Sequence, residues 1–298
     1  MRTLLLGCNG QLGWELQRAL APLGEPVGAD LGFRSGAWAE PSRLGDLQAA
    51  LRRNPPDLIV NAVAYTAVDR AENEQALAWR LNADLPDLLA QHAAATGAWL
   101  VHYSTEHVFD GSGTAPWREE DPTGPVNAYG RSKLAGEQAV RASGCRHLIL
   151  RSSWLHAARG RNFVRSMLAL AMSRERFEVV DDQVGAPTGA DLLADLTAHM
   201  LRQLQHRSDL AGTYHATASG HTSRHGWARF IVDHARAAGA ALRVAADGVV
   251  AVPSSAWAAP ARRPLNSRLD CGKLERDFGL RLPDWRDGVA RMLQEVLS

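Results

Sequence analysis

The sequence has almost no excess of charge: 33 Lys and Arg stand against 32 Asp and Glu, a formal net charge of +1 in 298 residues. That balance argues against a nucleic acid polymer or an anionic membrane surface as a partner, while leaving room for a local basic pocket. Cysteine is scarce. Cys8, Cys145 and Cys271 are odd in number, far apart and without metal-ligand spacing, which reads as reduced thiols in a cytoplasmic protein. No apolar run approaches the roughly 18 residues needed to span a bilayer. Strand-like sequence begins at Thr3 with no basic leader before it, so no signal peptide is expected. The histidines are scattered. His221 and His225 lie four apart but lack an acidic third ligand nearby; they read as surface or packing residues and give a metal-dependent hydrolase little support. Internal repeats and low-complexity segments are also missing.

What is present is a regular alternation. Thr3 to Gly7, Val27 to Asp30, Asp57 to Ala64, Ala98 to Ser104 and His147 to Ser152 read as short buried strands. Between them lie helix-compatible stretches, notably Gln11 to Leu23, Glu74 to Ala95 and Tyr129 to Ala142. Apolar strands separated by helices imply right-handed crossovers and a parallel sheet covered on both faces. The expected fold is therefore α/β, a doubly wound parallel sheet. Beyond residue 152 the pattern loosens, with strands at Phe177 to Val180 and Thr213 to Ala216. Helices are expected at Asn162 to Met172, Ala190 to Gln205 and Arg224 to Ala238, and Pro and Trp cluster between Val252 and Pro264. Residues 1–152 read as a dinucleotide-binding unit. Residues 153–298 read mainly as a smaller substrate lobe, with some segments returning to the main sheet.

Gly7-Cys8-Asn9-Gly10-Gln11-Leu12-Gly13 follows the first strand and opens the first helix. Glycines at this spacing permit a tight turn, close backbone approach to a pyrophosphate and close packing of helix on strand, as in a Rossmann unit. Asp30 ends the second strand, where a carboxylate binds the adenosine ribose and favours NAD, or where it is a solvated loop acid. Arg34 nearby suits a 2′-phosphate, so the choice between NADH and NADPH stays open.

Tyr129 and Lys133 are spaced i, i+4 and share one helical face. An ammonium near a phenol favours the phenolate and lowers its pKa towards neutrality, which suits Tyr129 as a general acid for a developing alkoxide. Lys133 also suits the nicotinamide ribose. Ser104-Thr105 ends the preceding strand, where ligands sit in open α/β sheets, and the Thr105 hydroxyl can polarise a carbonyl. Loop, threonine, tyrosine and lysine together read as a carbonyl reductase that uses a nicotinamide.

Six blocks carry a closer resemblance: GCNGQLGWEL from Gly7, VNAVAYTAVDRAE from Val60, VHYSTEHVFDG from Val101, NAYGRSKLAGE from Asn127, DDQVGAPTGADLLAD from Asp181 and ARRPLNSRL from Ala261. In their order and separation the chain resembles the dTDP-4-dehydrorhamnose reductase family of extended short-chain dehydrogenases. The resemblance implies reduction of the C4 ketone of dTDP-4-dehydro-β-L-rhamnose with NADPH or NADH, with Tyr129 as acid, Lys133 beside it and Thr105 on the ketone. It implies cofactor contacts at Gly7, Gly10, Gln11, Leu12, Gly13, Asp30, Ala62, Ala64 and Tyr65, and sugar-nucleotide contacts at Thr105, Glu106, His107, Trp154, Arg263 and Arg268. Two positions depart from the family: His107 replaces a frequent tyrosine, and Ala37 stands where relatives have an acid near the ribose.

Some members of that family dimerise around Mg²⁺ held by carboxylates, and Glu15, Asp191 and Glu295 match those positions. Hard oxygen ligands suit Mg²⁺, but three helical acids are also simply solvated. The resemblance thus implies a homodimer and a dTDP-sugar as partner. Other readings are another sugar-nucleotide reductase, a dehydratase or epimerase on the same fold, and a non-catalytic subunit resembling the regulatory subunit of methionine adenosyltransferase. Dehydration calls for an Asp-Glu pair where this chain has Glu106-His107. A pure binding subunit would not require Thr105, Tyr129 and Lys133 together.

Overall fold

In the computed structural model, which describes residues 1–24, 26–28 and 42–298, six parallel strands form the central sheet. They are β1 (Thr3–Leu6), β2 (Pro26–Gly28), β3 (Leu58–Asn61), β4 (Trp99–Thr105), β5 (Arg146–Ser152) and β6 (Gly212–His215), in the spatial order β6-β5-β4-β3-β1-β2. The winding reverses between β1 and β3, and the crevice at their carboxyl ends is the switch point of such sheets. Asp30, Arg34 and Ala37 lie outside the described residues.

The strands form because consecutive apolar residues bury alternate side chains on opposite faces. Leu5, Val60, Val101 and Leu148 meet helices α1 (Gln11–Leu20) and α7 (Ala190–Leu204) through Leu12, Leu16, Leu193 and Met200. Leu6, Ile59, Leu100 and Ile149 face the other way, onto α2 (Ser42–Arg53), α4 (Leu85–Thr96) and α5 (Ala128–Ala142), through Leu51, Leu85, Leu89 and Val140. Each fully buried leucine is worth about 1.5–3 kcal/mol over an exposed one.

The helix expected from Glu74 runs as α3 (Gln75–Trp79), a π-helical turn (Arg80–Asp84) and α4. In that turn the buried Asn82 accepts from the Tyr65 backbone N–H at 2.8 Å. It also donates to the Tyr65 carbonyl at 3.1 Å and to Ser132 Oγ at 3.0 Å, tying the loop after β3 to α5.

A third core, with Trp227, Ile231, Val289 and Leu293, joins α6 (Phe163–Ser173), α8 (Arg224–Ala237) and α9 (Trp285–Leu297). Beside it Phe177–Val180 pairs in parallel with Val249–Val252. Helices α2 and α9 and the strand Val249–Val252 were not assigned from the sequence. For α9 the signal was present: Asp284 caps it by accepting from Arg286 N–H, and Trp285, Val289, Met292 and Leu293 recur at helical spacing.

Candidate active site

A cavity of about 350 Å³ opens at the carboxyl ends of the strands. Its walls come from the loop after β1 (Gly10, Gln11, Leu12), the segment after β3 (Ala62, Ala64, Thr66), the end of β4 (Thr105, Glu106), α5 (Tyr129, Lys133) and the segment after β5 (Ser152, Ser153, Trp154). The buried Ser152 hydroxyl has no hydrogen-bond partner there, as befits a group awaiting a polar ligand. Gly10 caps α1 with no side-chain hydrogen bond, so the amides of the first turn stay available to an anion. Gly7 has φ +81°, and a Cβ on Gly13 would stand 2.0 Å from the Gly7 carbonyl oxygen. The residues therefore fit a dinucleotide pyrophosphate. Gly13→Ala should raise the Kd for NADPH and NADH at least about tenfold, or 1.4 kcal/mol, in a fluorescence titration. Unchanged affinity would remove the loop from the cofactor site.

Asn127 starts α5. Its Oδ1 accepts from the Gly130 N–H at 2.8 Å, while its Nδ2 donates to the Arg262 carbonyl at 2.8 Å and to His107 Nδ1 at 2.9 Å. Two residues later Tyr129 sets its ring against the edge of His107, centroids 5.3 Å apart. A turn further on, Lys133 Nζ donates to the Tyr103 carbonyl at 2.5 Å. Burial raises the Tyr129 phenol above its ordinary value, Glu106 adds to this, and the Thr105 hydroxyl offsets part of it. Burial also brings Lys133 down to about 8. The expectation that Lys133 lowers Tyr129 towards neutrality is thus reversed in balance, because desolvation outweighs a cation directed at a carbonyl. Tyr129 is held protonated, as an acid ready to give its proton.

Thr105 Oγ1 donates to Glu106 Oε2 at 2.8 Å and accepts from the His107 N–H at 3.2 Å. Glu106 is 3% exposed, and burial lifts its carboxyl from 4.5 to about 7. A raised carboxyl favours the folded state fully below its unfolded value and loses that contribution as pH climbs through 7. The shift amounts to roughly 3 kcal/mol. Glu106→Gln should therefore stabilise the protein at pH 8 relative to wild type, and far less at pH 5, in paired thermal melts. An equal effect at both pH values would contradict the buried ionisable state.

Trp154 has φ +50°, the only positive φ of a non-glycine among the described residues, a strained backbone of the kind found at functional sites. The Arg224 guanidinium stacks on its ring at 3.8 Å, and Glu106 and Arg263 both act on Arg224 electrostatically. Arg263 makes a paired contact with Asp69 at 2.6 and 2.7 Å. Arg268 donates to the Thr114 carbonyl and to Asn266 Oδ1, bracing a neighbouring loop. Tyr65 is buried with its hydroxyl on Glu74 and is not among the residues lining the cavity. Thr66, Asn127 and Arg224 escaped the sequence reading. Asn127 had a local signal, an N-cap residue ahead of a helix; Arg224 had none.

Glu15, Asp191 and Glu295 do come together around one small cavity, lined also by His156 and Arg291. Within this one chain they do not form the Mg²⁺ set that the resemblance implies at a dimer interface. Arg291 pairs with Asp191 at 3.1 Å and Glu295 at 3.6 Å, and Glu15 faces Arg18 at 3.5 Å. With each acid already facing a guanidinium, no metal-ligating group forms among the described residues.

The family model for the RmlD substrate binding domain matches residues 1–298. The dTDP-4-dehydrorhamnose reductase of Salmonella typhimurium is 48% identical over 300 residues, covering 100% of this chain and 99% of the relative. That of Escherichia coli is 47% identical with the same coverage. The chain belongs to the dTDP-4-dehydrorhamnose reductase family. Solved structures agree: the reductase of Bacillus anthracis in complex with NADP matches with TM-score 0.84 at 33% identity, covering 99% of both chains. The ortholog from Clostridium acetobutylicum matches with TM-score 0.87 at 31% identity over 100% of both. In this member of the dTDP-4-dehydrorhamnose reductase family, the variant His107 is buried and bonded to Asn127. Burial, with Arg224 and Arg263 nearby, takes it down to about 3, so the ring is neutral and buttresses Tyr129.

Proposed function

We propose that this protein reduces the C4 ketone of dTDP-4-dehydro-β-L-rhamnose to the alcohol of dTDP-β-L-rhamnose, with NADPH or NADH as reductant. The observation that carries this reading is the convergence of Thr105, Tyr129 and Lys133 on one cavity with the glycine loop, in a chain of this family. The nicotinamide, when bound, supplies hydride to C4. Tyr129 gives its phenolic proton to the developing O4 alkoxide. Thr105 turns its hydroxyl from Glu106 to the same oxygen and stabilises the charge there. Lys133 restores the proton to Tyr129. Gly7, Gly10, Gln11, Leu12, Gly13, Ala62 and Ala64 hold the cofactor, and Trp154, His107 and Arg263 border the sugar nucleotide.

Residues 1–152 serve the cofactor and residues 153–298 mainly the substrate, with β6 and α7 returning to the main sheet. The sugar-nucleotide chemistry of the family supports a cytoplasmic location. A homodimer is the assembly that the family resemblance implies.

The deciding experiment follows oxidation of NADPH and of NADH with dTDP-4-dehydro-β-L-rhamnose generated in situ. Rapid turnover establishes the activity, and the ratio of the two rates fixes the cofactor. Absence of turnover in a protein that binds both cofactors would overturn the substrate assignment in favour of another sugar nucleotide or a non-catalytic subunit.

A further inference from the structure

Behind the cavity, a line of side chains runs from α5 through the sheet: Lys133, then His102 on β4, then Asn61 on β3. All three are at most 1% exposed. Lys133 Nζ lies 3.4 Å from His102 Nε2, and Asn61 Nδ2 lies 3.3 Å from His102 Nδ1. The amide is oriented from outside this line, because Asn61 Oδ1 accepts the Val63 N–H at 3.2 Å. Its other arm, a donor, therefore meets Nδ1. Nδ1 must carry the lone pair, and a neutral ring then has its proton on Nε2, facing Lys133. The ring is neutral, since burial, then Lys133 and His147, hold His102 well below its ordinary value. An Nε2–H meeting Nζ is a hydrogen bond only when Nζ has a lone pair. Against an ammonium, two donors oppose each other.

We infer that the Asn61–His102 pair is a positioning device that favours the neutral amine of Lys133, the form left when Lys133 has passed a proton towards Tyr129. The inference rests on the role proposed for Lys133. In that step one proton leaves Nζ, a phenol replaces a phenolate at Tyr129, and the amine lone pair accepts the His102 Nε2–H. Solvent later returns the proton.

Residue choice agrees. The chain holds two lysines, Lys133 and Lys273, among its 33 basic residues, and arginine cannot release a proton in a protein. The charged and titratable groups facing the device are few. Glu137 on the same helix raises Lys133 against the effect of burial, but is itself bonded to Arg151 and Arg141. Glu106, after β4, acts on Tyr129. Tyr103 is a buried phenol bonded to Thr197, and His147 on β5 acts on His102.

The test has two readouts. Nitrogen NMR of protein labelled at histidine should show His102 as the Nε2–H tautomer, a measurement that needs no turnover and so stands apart from the role of Lys133. Asn61→Asp keeps the acceptor for Val63 but offers Nδ1 an acceptor, so His102 should change to the Nδ1–H tautomer and accept from an ammonium. The limb of the kcat–pH profile belonging to Lys133 should then move up by about one pH unit, roughly tenfold in proton affinity. His102→Phe, which adds no charge, should move the same limb in the same direction and serves alone if the aspartate variant does not fold. An Nδ1–H tautomer in wild type, or a limb that stays put in the folded variants, overturns the inference. A merely structural pair would lower stability and leave the limb where it is.

Discussion

Tyr129→Phe is expected to lower kcat by roughly 10²–10⁴-fold, the usual contribution of a positioned general acid, with either nicotinamide. Cofactor affinity and melting temperature should stay near wild type. Only the hydroxyl is removed: the ring that packs on His107 remains, and the start of the helix is fixed by Asn127 rather than by Tyr129. The ring is partly buried and desolvation keeps the proton on the phenol, so wild type presents a loaded acid throughout the neutral range. In the variant the Thr105 hydroxyl is still there to polarise the ketone, which should leave a small residual rate. Single-turnover absorbance of NADPH separates the chemical step from release of product. A variant with more than a tenth of the wild-type rate in that measurement would assign the proton to another group.

The second large effect concerns stability. Arg151 and Glu137 form a buried pair, 2% and 0% exposed. Arg151 Nε donates to Oε1 at 2.9 Å and Nη2 to Oε2 at 2.7 Å. The pair joins β5 to the helix that carries Tyr129 and Lys133. Burial alone would raise the Glu137 carboxyl, yet its partners, Arg151 first, hold it below the ordinary value. Arg151→Met leaves that carboxylate in the interior with the Ser104 hydroxyl and the exposed Arg141, and should cost about 3–5 kcal/mol in denaturant unfolding. The loss should grow as pH rises above the unfolded value of the carboxyl, where ionisation is forced. Replacing both partners by Met should recover much of it, because an apolar pair leaves no charge stranded. If the double variant is as unstable as the single one, packing rather than the stranded charge explains the loss.

How much of this was readable beforehand depends on the range of the interaction. The glycine loop and the Tyr129–Lys133 pair are local patterns, a strand–turn–helix and one turn of a helix, and their meaning survives without coordinates. The sheet was legible in runs such as Leu58 to Val60, whose burial on both faces leaves no polar alternation. The electrostatic balance was not readable, because it is set by groups remote in sequence. Arg224 reaches Trp154 from 70 positions away, and Asn61 orients a histidine 41 positions on. The spacing of Tyr129 and Lys133 suggested a lowered phenol; only the depth of burial reverses that. Likewise, the spacing of Glu15, Asp191 and Glu295 carries no hint that Arg291 will stand among them.

The π-helical turn at Arg80–Asp84 makes this stretch intolerant of changes in length. Such a turn is an α-helix with one surplus residue. Deleting one residue there would produce a more regular helix by every local criterion. Because the widened turn has already absorbed that residue, α4 would keep Leu85 and Leu89 on the sheet; what would be lost is the bulge from which Asn82 grips Tyr65 and Ser132. A redesign that rewarded only helical regularity would be drawn to that deletion, and would obtain a better helix in a worse protein.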